Sequence, residues 1–400
     1  MKKILLLCLL SASVFSQTSN IFKPIDVFDL EYVSNTEISP NGNKVLYQRN
    51  FNDIMTDESF SNIWIINYDG TDNRPITTGN YKDNSPKWSN KGDKFIFKSN
   101  REGKSQIFLF DLNNNSLQKL TNFQYSMGSL SWSPDDNYIL FSSFIDSKRK
   151  KLIKMPEKPK GAKWNDPPVE ISDLNYKYDS SGFRKPGETQ LFTMPVIGGT
   201  PRQISNIKPE KRAGQAQWVG NNKVVFSANL NDDSDYNTNN SEIYILELDS
   251  GKHKPLTSRN GPDFSPKVSH DNSLIAYLGY DDEYLGYQQN SIYVMKPDGS
   301  KKIKIQLDLD RNISNIYWSG DNKRIFFQFD DKGLTKIGST TLHGKFETIV
   351  DQVGGLSFSR PYSGGFFSLS KNNRYSFTMG TEYNPADLAT GYKGSKRRLT

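Results

Sequence analysis

The chain has 400 residues, with 51 Lys and Arg against 44 Asp and Glu, and a net charge of +7. That excess is too diffuse to read as a nucleic-acid binder. Only one cysteine, Cys8, is present, which excludes a disulfide framework and a thiolate centre in the body of the chain. Aromatic residues make up 12%, and Gly, Asn, Asp and Ser are abundant, a balance that suits many short strands joined by tight turns.

In chain order, the first element predicted is a secretory signal over residues 1–16. Lys2 and Lys3 form a positive n-region, Ile4 to Leu10 an apolar core, and cleavage is expected after Ser16. The apolar run is far shorter than the roughly 20 residues a membrane span needs, so stable membrane insertion is not expected. Leu7 stands before Cys8 where a lipidation site wants a small residue. The mature protein is expected to be periplasmic or secreted.

From residue 22 to about 390 one pattern recurs: a polar turn with Ser-Pro or its equivalent, then Asn, Asp or Gly, then an alternating apolar strand. Copies begin at Ile38, Trp88, Trp132, Trp218, Val268, Trp318 and Leu369, which makes seven. Between them run hairpins that end in Leu-Thr or Ile-Ser, such as "IFLFDLNNNSLQKLT" and "IYILELDSGKHKPLT". Each unit thus offers four strands, and such a sheet cannot bury both of its faces alone. Stacking units of this length around an axis gives an all-β fold, a β-propeller of about seven four-stranded blades. Trp88, Trp132, Trp218 and Trp318 share one repeat position and are expected to pack between blades. The strand order that closes the ring is left open by "VDQVGGLSFSR".

One interval, from Trp132 to Trp218, is nearly twice the others, which predicts an insertion in the third blade over about 147–189. It opens with Lys148, Arg149, Lys150, Lys151, Lys154, Lys158, Lys160 and Lys163 and continues through "DLNYKYDSSGFRKPGE". Export removes nucleic acid as a partner for these lysines. Loops on a rigid scaffold commonly carry function, and Tyr176, Tyr178 and Arg184 are the first residues to mutate, although which residues bind substrate is unknown from sequence.

No catalytic residue is assigned. The serine elbow G-x-S-x-G is missing, and "GGLSFS" from Gly354 and "YSGG" from Tyr362 lack its glycines in register. The three histidines, His253, His270 and His343, fall in predicted turns of separate blades, too scattered for a triad or a zinc site. Asp233, Asp235 and Asn237 alternate as calcium ligands do, but Thr238 and Tyr244 replace the required Gly and Glu. No metal site and no cofactor are expected.

Signal, Ser-Pro-Asn/Asp-Gly strands and Leu-Thr hairpins in this order resemble the N-terminal propeller of prolyl-oligopeptidase-family serine peptidases. The acylaminoacyl- or dipeptidyl-peptidase branch is the most similar, on three stretches: "ISDLNYKYDSSGF", "TEYNPADLAT" from Thr381, and the final "KRRLT". The resemblance implies a substrate-gating propeller of an exported exopeptidase that cleaves short pieces from peptide N-termini. It also implies that residues 391–400 are a linker toward an α/β-hydrolase domain not contained in the chain, so the 400 residues alone are expected to be inactive. The alternative reading is a stand-alone periplasmic propeller that binds an envelope protein or peptide. Oligomeric state is not legible.

Overall fold

The computed structural model describes residues 22–400 except 148–152, 154, 166–167, 172, 180–181, 210 and 358–359. The predicted signal at 1–16 therefore lies outside the described residues. After a short 3-10 turn at Pro24–Phe28 the chain runs through seven four-stranded antiparallel sheets. Blade 1 comprises Tyr32–Ile38, Lys44–Asp53, Glu58–Asn67 and Arg74–Pro75. The first strands of blades 2 to 7 are Asn84–Trp88, Met127–Trp132, Ala216–Val219, Asp263–Val268, Ile313–Trp318 and Phe367–Leu369. Among the described residues every blade is an up-and-down meander; one two-stranded hairpin falls within blade 3 and another, Gly355–Ser357 with Arg360–Ser363, between blades 6 and 7.

Apolar alternation on both faces of each sheet fills the spaces between blades. Seven hydrophobic clusters lie among the described residues, and each joins two neighbouring sheets. Leu46 and Ile63 of blade 1 meet Phe95 and Phe97 of blade 2, and Leu140 and Leu191 of blade 3 meet Trp218 and Phe226 of blade 4. The seventh cluster packs Val33, Val45 and Tyr47 of blade 1 on Leu388 of blade 7, which closes the ring. Burying one such Phe or Ile is worth about 1.5–3 kcal/mol, so no blade is stable apart from its neighbours.

The recurring motifs have physical roles that composition alone does not reveal. In the Ser-Pro-Asp-Gly turn the serine is buried, and its hydroxyl bonds both the next acidic or amide side chain and the strand that follows. Ser133 Oγ donates to Asp135 and accepts from Tyr138 N at 2.9 Å, and Ser319 Oγ donates to Asp321 and accepts from Arg324 N at 2.9 Å. The third residue after the serine sits in the left-handed region, as at Asn272 (φ 58°), Asn322 (φ 57°) and Asn373 (φ 62°), which Asn tolerates better than most. Its side-chain oxygen then accepts a backbone N–H of the preceding blade: Gly220 N at 2.8 Å, His270 N at 2.9 Å and Gly320 N at 2.9 Å. Gly320 is forced by this close approach, because a Cβ there would lie 1.6 Å from Lys371 O.

The repeated tryptophans pack between blades as expected, and three of the four also tie them. Trp88 Nε1 donates to Glu37 O at 2.9 Å, Trp132 to Lys87 O at 2.9 Å and Trp318 to Lys267 O at 2.8 Å.

Two expectations are corrected. The stretch read as part of a linker, residues 391–400, carries Ser395–Arg398, which pairs with Asn384–Tyr392 as the outer strand of blade 7. The run of exposed basic side chains in "KRRLT" fits an edge strand, where charge deters further pairing. His253, expected in a turn, is the first residue of the outer strand of blade 4, while His270 and His343 do lie in turns. The ring closes without strand exchange: blade 7 is built from residues 367–398 alone. Thr36 Oγ1 donates to Ser376 Oγ at 2.6 Å and Ile38 N to Ser368 Oγ at 2.7 Å across the seam.

Candidate functional site

The first strand of each blade faces the ring axis, and in four blades it is distorted in the same way. A register shift with one residue at positive φ occurs at Asn35 (φ 46°), Ser85 (φ 56°), Ser265 (φ 52°) and Asn315 (φ 47°). Such bulges add one residue on one strand and re-aim the side chains that follow. Two residues later, in every case, stands a side chain that lines the central channel: Glu37, Lys87, Lys267 and Tyr317. The channel encloses about 330 Å³ and takes lining residues from all seven blades.

These four groups form one electrostatic unit. Lys87 Nζ lies 2.7 Å from Glu37 Oε2. Burial works to pull the Lys87 amine down, but the Glu37 carboxylate beside it holds it above the usual lysine range. Lys267 makes no ion pair among the described residues, and its Nζ stands 5.3 Å from the Tyr317 ring centroid. Burial, reinforced by the charge on Lys87, lowers the Lys267 amine to about 8. Burial pushes the Tyr317 phenol up, and its ring meets Phe367 edge-on at 4.7 Å.

Strand direction alternates within each blade, so every loop between second and third strands emerges on one face of the ring. The Ser-Pro-Asp-Gly turns lie on the opposite face. The insertion is such a loop, leaving the blade after Asp146 and rejoining it at Gly187. It carries the hairpin Lys177–Tyr178 and Gly182–Phe183. Arg184 N donates to Tyr176 O at 2.7 Å, the Tyr176 ring stacks on Phe183 at 6.4 Å, and Lys177 Nζ lies 5.9 Å from the Phe183 ring. Tyr176 and Tyr178 are exposed, whereas Arg184 is half-buried. The structure thus gathers all three residues singled out from sequence on one hairpin.

Neighbouring loops extend the same surface. Asn175 Nδ2 reaches Asp235 O of the blade 4 loop at 3.4 Å, and that loop presents Tyr236, 84% exposed. Tyr284 and Tyr287 of blade 5 are each 79% exposed on this face. Exposed apolar side chains in such number mark surfaces that meet a partner or a ligand. In the basic cluster, Lys148, Arg149, Lys150, Lys151 and Lys154 lie outside the described residues, while Lys158, Lys160 and Lys163 are exposed. Beside Asp233 and Asp235 in the blade 4 loop, Asp232 pairs with Lys208 at 3.0 Å and Lys211 Nζ donates to Asn231 O at 2.6 Å.

Sequence reasoning missed the channel quartet. Its signal was available, since Glu37, Lys87, Lys267 and Tyr317 each stand two residues before the turn serine of their repeat. Without the bulge, nothing marked that position as facing the axis.

Residues 31–162 match the family model described as the TolB beta propeller domain, PD40. Dipeptidyl-peptidase 5 of Porphyromonas gingivalis is 24% identical over 357 residues, which is 85% of this chain and 51% of that protein. An acylaminoacyl peptidase of Pyrococcus horikoshii superposes with a TM-score of 0.71 at 18% identity, covering 94% of this chain and 53% of that one. The propeller domain of the Trilobed protease from Pyrococcus furiosus, described as having an open velcro topology, superposes with a TM-score of 0.61 at 17% identity over 92% of this chain and 98% of its own. The chain spans from a third to about half the length of the curated relatives it matches. The chain is a seven-bladed β-propeller whose residues 31–162 match the PD40 model, similar in sequence to dipeptidyl-peptidase 5 and in fold to the propellers of an acylaminoacyl peptidase and the Trilobed protease.

Proposed function

We propose that this propeller is the substrate-gating part of an exported serine exopeptidase that removes short pieces from peptide N-termini. The observation that carries the reading is the placement of the insertion hairpin and the exposed tyrosines of blades 4 and 5 on one face of a narrow channel. A surface of this kind suits a docked catalytic domain, with Tyr176, Tyr178 and Arg184 at the edge of the substrate path. Channel and collar admit an extended peptide and exclude a folded protein. Cleavage itself is assigned to a hydrolase domain carried outside these residues, and export rests on Lys2, Lys3 and the apolar run Ile4 to Leu10.

The test is to isolate the native protein from its source cells with an antibody against the propeller. A species well above 45.6 kDa that releases dipeptides or acylated residues, and is stopped by a serine-directed inhibitor, supports the proposal. A species at or below that mass with no peptidase activity overturns it. A second reading, a free-standing envelope propeller that binds a peptide or protein, is favoured by one observation: all seven blades are four-stranded within this chain.

A further inference from the structure

We propose that the central channel holds a carboxylate-binding site, in which the Lys267 ammonium, with Lys87 behind it, receives one carboxylate group. The site stands on this chain's own residues, although a peptide as its ligand would deepen the gating role proposed above.

Three formal charges meet in the channel, Lys87, Lys267 and Glu37, and they sum to +1. Glu37 is committed to Lys87 at 2.7 Å. Lys267 has an aromatic ring beside it and no carboxylate of its own among the described residues. An ammonium held partly out of water and next to a second ammonium is costly, and a single anion relieves both costs at once. The surplus of one charge suits a monoanion better than a doubly charged phosphate. Ser129 and Ser265 line the same cavity and add hydroxyls, while the Tyr317 ring and Phe366 supply an apolar wall. The volume of about 330 Å³ leaves room for a carboxylate and the residue that bears it.

The groups that face Lys267 set its pH response. Glu37 and Lys87 act as a pair, and Tyr317 stays neutral because burial raises its phenol. With its amine lowered to about 8, Lys267 loses its proton within an accessible range, so binding weakens as pH rises through that value. A bound carboxylate moves the titration upward.

The experiment uses the full chain with its lysines reductively methylated with 13C, a change that keeps their charge. The Lys267 signal, identified by its loss in Lys267→Gln, is followed while acetate, a dipeptide with a free C-terminus, or the same dipeptide amidated is added. The expected result is a saturable shift with acetate and the free dipeptide, and none with the amide. Lys267→Gln is expected to lose about tenfold in affinity or more, equivalent to about 1.4 kcal/mol, measured by calorimetry on unmodified protein. Lys267→Arg keeps the charge and should retain most of the binding. Thermal melts of both variants establish that the ring is folded. An unmoved Lys267 signal, equal response to the amide, or unchanged affinity in a folded Lys267→Gln would overturn the site. A response to acetate but not to the free dipeptide would uphold the carboxylate site and count against peptide gating.

Discussion

At the outer strands of blades 2, 3 and 4 the same backbone geometry meets two different chemistries. In blades 2 and 3 the clamp residue of the third strand is a glutamine, Gln106 at the start of Gln106–Asp111 and Gln190 fourth in Gly187–Pro195. Gln106 accepts from Thr121 Oγ1 at 2.6 Å and from Phe123 N at 2.9 Å, and it donates to Phe123 O at 2.9 Å. Gln190 repeats the set with Ser205 Oγ and with Ile207 N and O. This is the role of the Leu-Thr and Ile-Ser endings: the hydroxyl also accepts a third-strand N–H, as Thr121 does from Ile107 and Ser205 from Leu191. Every polar atom of the clamp is neutral and paired.

Blade 4 keeps the hydroxyl, with Thr257 accepting from Ile243 N at 2.9 Å and donating to the clamp residue. The clamp residue is now Glu242, and the place of Phe123 and Ile207 is taken by Arg259, whose guanidinium pairs with the buried Asp263. Burial, reinforced by Asp263, raises the Glu242 carboxyl to about 7. Burial likewise raises Asp263 to about 6, against the pull of Arg259. Two carboxyls and one guanidinium in a buried junction are held less economically than a glutamine. A buried ionic cluster is weak evidence for stability and is sensitive to the loss of any member.

The largest effect should come from breaking the ionic junction. Arg259→Ala strands two buried carboxyls and is expected to cost about 3–5 kcal/mol, read by urea unfolding at pH 8. The comparison sharpens if the loss shrinks at pH 5, where both carboxyls take up protons.

Next in size is Glu242→Gln, which imports the chemistry of blades 2 and 3. A carboxyl raised in the folded state binds its proton there more tightly than in the unfolded chain. Its contribution to stability is therefore greatest below the ordinary glutamate range and falls as pH rises to about 7. Glu242→Gln should be near neutral at pH 4 and stabilising by on the order of 2 kcal/mol at pH 8. A variant equally stable relative to the parent at both pH values would mean that Glu242 is ionised throughout.

Gln190→Ala, the reciprocal cut at a neutral clamp, leaves the Ile207 N–H and C=O and the Ser205 hydroxyl without their partner. A loss of about 1–3 kcal/mol is expected, with no pH dependence between 5 and 8. The smallest effect separates the tryptophans. Trp132→Phe removes the bond to Lys87 O and should cost about 1 kcal/mol beyond the lost ring area. Trp218 Nε1 is buried with no hydrogen-bond partner among the described residues, so Trp218→Phe should cost less, as compared by chemical denaturation of the two variants.

Much of this architecture was legible in the chain. A polar turn with a left-handed Asn, Asp or Gly before an alternating strand marks all seven blades, six of them with a turn serine, because each step is a local requirement of turn geometry and strand period. The insertion was legible as a break in that period. The edge strand at Ser395–Arg398 was not, since a serine and three basic residues carry little strand preference and pair only because Asn384–Tyr392 offers its free edge.

The channel quartet shows where local reasoning stops. Glu37, Lys87, Lys267 and Tyr317 share a repeat position, but their side chains belong to four different blades and as much as 280 residues of chain separate Glu37 from Tyr317. Sequence by itself determined the blade, its turns and the number of blades, all set by interactions within about fifty residues. Only the closed ring decided that bulges in four of the first strands would aim these four groups at one axis, and that Glu37 would satisfy Lys87 and leave Lys267 without an ion pair among the described residues. Charge balance in a shared cavity is a property of the assembled blades, and no single repeat contains it.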